Sequence, residues 1–161
     1  MKYDCYITFT QDTLEVDVEN TLRIIRTGEI KKALDEGDAS AQFLVGVLFY
    51  SKEEYDQAMR YFLLAADKNY APAEHYLSYC FLKGTVEKED EERSKLCMSL
   101  AVSHGDATAA FEMGTLYDKR ISDNPIWTKN DKISTFWYLI GAKMGNKMSM
   151  FYLGYNYNNG I

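Results

Sequence analysis

A chain of 161 residues, 47% hydrophobic and 26% charged with two prolines, is long enough for one packed domain and too apolar to be disordered. Its net charge of −6 disfavours a phosphate backbone as ligand and favours a neutral or basic partner. Cys5, Cys80 and Cys97 form no C-x-x-C pair and Met1-Lys2-Tyr3-Asp4 leads into no apolar signal segment; reduced thiols, no membrane contact and a cytoplasmic location are therefore expected.

Residues 2–9, KYDCYITF, are read as a short strand or an extended arm. Asp12 or Thr13 is placed to cap a helix running to about Thr27, with Leu14, Val18, Leu22 and Ile25 as its apolar stripe. A short helix over 29–36 should end at Gly37 in a left-handed turn. Residues 1–36 then form an arm and capping helices that cover the first element beyond Gly37.

Over 39–69, two apolar runs, 41–50 and 55–66, flank the polar break Ser51-Lys52-Glu53-Glu54. Ala41, Val45 and Phe49 lie four apart, and small residues at Gly46, Ala58, Ala65 and Ala66 let two helices approach closely. This predicts an antiparallel helical hairpin, which cannot bury its apolar face alone. A second hairpin begins at Ala71-Pro72, where proline suits a first helical turn, and carries the acidic run Glu87 to Glu92 into its second helix. A third starts at Asp106, with helices near 107–118 and 131–144 and a longer connection, 121–130, holding Pro125 and Trp127. The element over 147–158 is a first-type helix, and Gly160 sits where a hairpin turn would fall.

These hairpins are copies of one another. Gly46, Ser78, Gly114 and Gly154 make one small-residue column at spacings of 32, 36 and 40 residues. One residue earlier come Val45, Leu77, Met113 and Leu153; three later come Phe49, Phe81, Tyr117 and Tyr157; five earlier come Ala41, Ala73, Ala109 and Ser149. The drift in spacing falls between helices, where insertions are tolerated. The columns predict an all-α protein, a right-handed α-solenoid of stacked antiparallel helix pairs with a helical N-terminal cap. Residues 37–161 hold three copies and a half within one domain.

The columns resemble the Sel-one-like repeat, a relative of the tetratricopeptide repeat. That pattern has Ala, then Leu-Gly, then Tyr, and a second helix ending Ala-Ala-x-x-Gly. Here the endings are Ala65-Ala66-Asp67-Lys68-Asn69, Ala101-Val102-Ser103-His104-Gly105 and Gly141-Ala142-Lys143-Met144-Gly145. Tyr61 and Trp137 hold the aromatic place, while Cys97 departs from it, as do Ser94 and Ser134 where Ala is usual. The resemblance implies an adaptor scaffold and no particular partner.

No catalytic constellation is expected. His75 and His104 lie on different helices without a repeat-related ligand set, so no metal is expected. His75 and Cys80 are five apart and do not share a helical face. Gly84, Gly105 and Gly145 fall at turns and make no phosphate loop, so no cofactor is expected. Glu53-Glu54 and Glu91-Glu92 read as solvated faces near turns, and dispersed basic residues leave no nucleic-acid footprint. The chain is read as non-enzymatic.

The resemblance implies a concave side lined by first helices, where a peptide or domain binds. Residues expected to face away from the second helix are Phe43, Val47 and Tyr50 in copy one and His75, Tyr79 and Lys83 in copy two. Copy three contributes Phe111, Thr115, Asp118 and Lys119, and the last contributes Phe151, Tyr155 and Asn158. Aromatic side chains there are favoured interface anchors. The expected partner is another protein, neutral or basic. The sharper form of this reading is an immunity protein that holds a cognate toxin domain inactive, with acidic charge steering a basic toxin. The alternative is a self-associating structural adaptor, a homodimer formed through the last helix.

Overall fold

The computed structural model describes residues 29–83, 90–121 and 128–161, apart from the side chains of Glu29 and Lys83. The readings for 2–9 and 13–27, and the loops at 84–89 and 122–127, lie outside these residues. The described elements are all helices: α1 (Glu29–Asp35), α2 (Ala39–Ser51), α3 (Tyr55–Ala66), α4 (Ala71–Lys83), α5 (Glu91–Ser103), α6 (Ala107–Tyr117), α7 (Asp131–Lys143) and α8 (Lys147–Asn158). Helix α2 packs on α3, α4 on α5 and α6 on α7 as hairpins; α3 on α4, α5 on α6 and α7 on α8 join each hairpin to the next. The result is an α-solenoid.

Local chemistry sets where each helix begins and ends. Asp38, Asp90, Asp106, Asn130 and Asn146 each accept a hydrogen bond from a backbone N–H of the first turn that they cap. Each such cap contributes about 1 kcal/mol. The second helices run into a left-handed turn held by Asn69 (φ 59°), Gly105 (φ 103°) and Gly145 (φ 90°). Asparagine is the side chain that tolerates this conformation best after glycine, so the first copy keeps the turn.

The small-residue column is where paired helices cross. A Cβ on Gly46 would lie 2.6 Å from the ring of Phe62, and one on Gly114 2.5 Å from the ring of Tyr138. Both rings are fully buried. In the middle copy Ser78 replaces glycine, and the residue at the ring's place is Met98, also buried. Burying one such large side chain stabilises by about 2–3 kcal/mol. Between copies, Ser149 of α8 lies against Gly141 of α7, so the alanine-type column seats this first helix on the preceding second helix.

Candidate partner-binding surface

Two chains of side chains run along the first helices. The first is aromatic. Tyr55 at the start of α3 meets Tyr50 edge-on at 5.3 Å, Tyr50 meets Tyr76 at 6.0 Å, and Tyr76 meets Tyr79 at 6.1 Å. All four residues are partly buried. Burial, and then Cys80 and Tyr55, hold the Tyr50 phenol well above its ordinary range. It is a neutral hydrogen-bonding group at any physiological pH.

The second is a charged junction beneath the end of that run. His75 Nδ1 lies 2.8 Å from Asp106 Oδ2, and Nε2 lies 3.0 Å from Glu112 Oε2. Tyr79 donates its hydroxyl to the same Glu112 oxygen. Burial alone would push the imidazole down, but Glu112 and Asp106 override it and raise His75 to about 10. His75 is therefore an imidazolium donating from both ring nitrogens. Asp106, raised by burial and lowered by the His75 hydrogen bond and charge, ends below the usual carboxylate range. Because Asp106 also caps α6 through Thr108 and Ala109, one charge ties copy two to the start of copy three. Within copy two, Glu74 of α4 lies 2.8 Å from His104 Nδ1 at the end of α5.

A third polar cluster lies at the far end. Arg120 donates to both Asp118 oxygens and to Asn156 Oδ1 at 2.6 Å, and its guanidinium lies 4.8 Å from the centre of the Tyr155 ring. Burial raises the Asp118 carboxyl, but the Arg120 hydrogen bonds outweigh it and hold the group below its ordinary range.

Of the thirteen residues expected at an outer face, the structure leaves Lys119, Phe151, Tyr155 and Asn158 exposed and Tyr50 and Tyr79 partly buried. The Lys83 side chain is outside the described residues. Phe43, Val47, His75, Phe111, Thr115 and Asp118 are buried, a correction to the outward placement. For Phe43, His75 and Phe111 the reason is the stacking itself, while Asp118 is held by Arg120 and by the Tyr138 hydroxyl of its own second helix. Phe43 meets Tyr70 at the end of its own copy and Tyr76 of the next, His75 meets Asp106 and Glu112, and Phe111 meets Tyr152. At these three positions the side that turns away from its own second helix is covered by the following repeat. Sequence reasoning also missed Tyr76 and Glu112, which sit one residue beyond the predicted places. The tyrosine at 76 and the carboxylate at 112 were visible, but their meeting depends on how neighbouring copies are set.

The described cysteines, Cys80 and Cys97, are thiols. Burial, and then Glu74, raise Cys97 to about 11, which keeps it an unreactive thiol. Among the described residues no group of three or more His, Cys, Asp or Glu is arranged to hold a metal ion, and no helix is long and apolar enough to cross a membrane. His75 and its two carboxylates do not converge on a point, since the acids lie at opposite ring nitrogens. A shallow cleft of about 470 Å³ opens beside the junction, lined by Pro72, His104, Gly105 and Thr108 among others.

These hairpins, columns and turns define a repeat class, and the family comparison agrees. The Sel1 repeat model matches residues 39–70, 71–106, 107–146 and 147–161, so the chain belongs to the Sel1 repeat family. Its structure is similar to a Sel1 repeat protein from Oxalobacter formigenes (26% identity, TM-score 0.72, covering 83% of this chain and 54% of that one). It also shares its fold with c5321, a protective antigen present in uropathogenic Escherichia coli strains (20%, TM-score 0.68, 84% of this chain and 29% of that one). Immunity protein Pa5087 from Pseudomonas aeruginosa is a third structure of this fold (22%, TM-score 0.63, 75% of this chain and 46% of that one). Among curated proteins, DAP3-binding cell death enhancer 1 of Rattus norvegicus and of Mus musculus are each 29% identical over 91 residues. That match covers 55% of this chain and 18% of each relative's length.

Proposed function

We propose that this chain is a non-catalytic binding module that holds a neutral or basic partner protein on the first-helix side of the stack. The observation that carries this reading is the run Tyr55, Tyr50, Tyr76 and Tyr79, four partly buried rings in edge contact across α2, α3 and α4. Rings already held by their neighbours lose little entropy when a partner covers them, which suits them as anchors. Tyr50 and Tyr79 are the central contacts, with Lys119, Tyr155 and Asn158 extending the surface toward the last copy. The net charge of −6 favours a basic partner and steers its approach.

The specific form of the proposal is an immunity protein that neutralises a cognate toxin domain. The acidic charge and the fold shared with immunity protein Pa5087 support this form. Co-expression with a toxin encoded beside the gene tests it: growth is expected to recover with the wild-type chain and to fall again with folded Tyr50→Ala or Tyr79→Ala variants. Absence of rescue by the folded wild-type chain rules out the immunity role for that toxin. Rescue that both tyrosine variants preserve rules out this surface.

A further inference from the structure

Two residues before the small-residue column, each first helix carries a position turned by about 200° from the side that meets its own second helix. In chain order this line reads Leu44, Tyr76, Glu112 and Tyr152. Leu44, Tyr76 and Tyr152 are partly buried, so the line keeps contact with solvent along the stack. Glu112 is its one charged member. It continues the tyrosine run, because Tyr79 donates its hydroxyl to it and the Tyr79 ring meets Tyr76 edge-on.

This carboxylate is half used. Glu112 is 9% exposed, and both of its hydrogen bonds, from Tyr79 and from His75 Nε2, fall on Oε2. Oε1 has no hydrogen-bond partner among the described residues. The oxygens there that lack both a partner and solvent are the hydroxyls of Ser94, Ser134 and Ser149, so Glu112 Oε1 opens to solvent. Asp106 differs: its Oδ1 accepts from the Thr108 and Ala109 N–H groups, and its Oδ2 faces His75. One imidazolium between two carboxylates leaves one negative charge unbalanced, and it rests on the carboxylate whose oxygen is open. The cations that follow α6 do not balance it, since Lys119 pairs with Asp131 and Arg120 with Asp118. An unbalanced charge largely withdrawn from water attracts a cation more strongly than an open surface carboxylate does.

We propose that Glu112 Oε1, together with the rings of Tyr76 and Tyr79, seats one arginine side chain of the partner protein; this deepens the binding surface proposed above and rests on it. The guanidinium lies against the rings and donates one N–H to Oε1. Its planarity and weak hydration suit an aromatic wall, and its remaining N–H edges stay in water. A lysine ammonium is strongly hydrated and carries three donors, whereas the site offers one open carboxylate oxygen. The partner is thus basic at the point where it meets the end of the tyrosine run.

The probes are three capped tripeptides, glycyl-X-glycine amides with arginine, lysine or citrulline at the centre. Each is titrated into the isotope-labelled full chain, and the backbone amide signals of α4 and α6 are followed by NMR. The arginine peptide should shift the signals around Tyr76, Tyr79 and Glu112 saturably. It should bind about fivefold or more tighter than the citrulline peptide, which keeps the shape without the charge, and tighter than the lysine peptide. In a folded Glu112→Gln protein the amide oxygen can still accept from Tyr79 and His75, but the charge is gone, and the advantage of arginine over citrulline should vanish. Equal binding of the arginine and citrulline peptides to the wild-type chain overturns the proposal without need of a variant. So does lysine binding as tightly as arginine, a saturable shift confined to other helices, or no saturable shift at all. These failures are distinct from failure of the tyrosine run. Equal shifts at Tyr50, Tyr76 and Tyr79 from all three peptides leave the run as a binding surface without a role for Glu112, whereas the run itself fails when a captured partner leaves α2 and α4 unprotected from hydrogen exchange.

Discussion

Helices α6 and α8 occupy the same place in successive copies, and they differ in what lies on top of them. In α6 the glycine column is filled by Tyr138 and Phe111 lies under Tyr152. In α8 Gly154 faces open space and Phe151 is exposed. The residues are nearly the same in kind. Whether a phenylalanine is core or surface in this fold is decided by the next copy along the stack, not by its own helix.

The largest difference should come from the phenylalanines. Phe111→Ala is expected to destabilise by about 3–5 kcal/mol through the cavity it leaves, and Phe151→Ala to change stability by about 0.5 kcal/mol or less. Urea unfolding of the two variants compares them directly. Equal losses would mean that α8 is covered after all.

The glycines should move stability in opposite directions. Gly114→Ala places a methyl against the Tyr138 ring and is expected to cost about 1–3 kcal/mol. Gly154→Ala gains helix propensity at no steric cost and should stabilise by about 0.5–1 kcal/mol. Thermal midpoints with the same sign of change would break the comparison.

The junctions between copies sharpen it further. His75 and Phe111 share a column, yet one junction is held by an imidazolium between two carboxylates and the other by rings. With His75 raised from 6.5 to about 10, its contribution is complete below pH 6.5 and is lost as pH rises through about 10. Asp106, held below its ordinary 3.8, contributes above that pH and ceases to as pH falls through its lower folded value. The urea midpoint should therefore decline between pH 7 and 10 more steeply for wild type than for a folded His75→Gln variant. Parallel profiles would assign the imidazole no net role at this junction.

The fold was legible because it rests on columns. Gly46, Gly114, Gly105 and Gly145 stand at backbone approaches and turns that small residues alone permit, and repetition made them visible. Two departures took the structure to explain: Asn69 holds the left-handed turn in place of glycine, and the place of the buried ring is taken by Met98 in the copy where Ser78 replaces glycine. Surface assignment was less legible. Helical period tells which residues oppose a helix's own partner, but Phe43, His75 and Phe111 are buried by the next copy, whose position depends on rise and rotation between hairpins. The link from His75 to Asp106 and Glu112 spans 31 and 37 residues of sequence. No local pattern marks it.

The functional account is tested most directly by hydrogen–deuterium exchange of the full chain with and without its partner, captured from the source cell and purified. Slowed exchange in the C-terminal half of α2 and in α4, around Tyr50, Tyr76 and Tyr79, is the result the account predicts. Protection confined to α3, α5 and α7, around the exposed Leu64, Leu100 and Phe136, would contradict it, because the partner would then sit on the second helices instead.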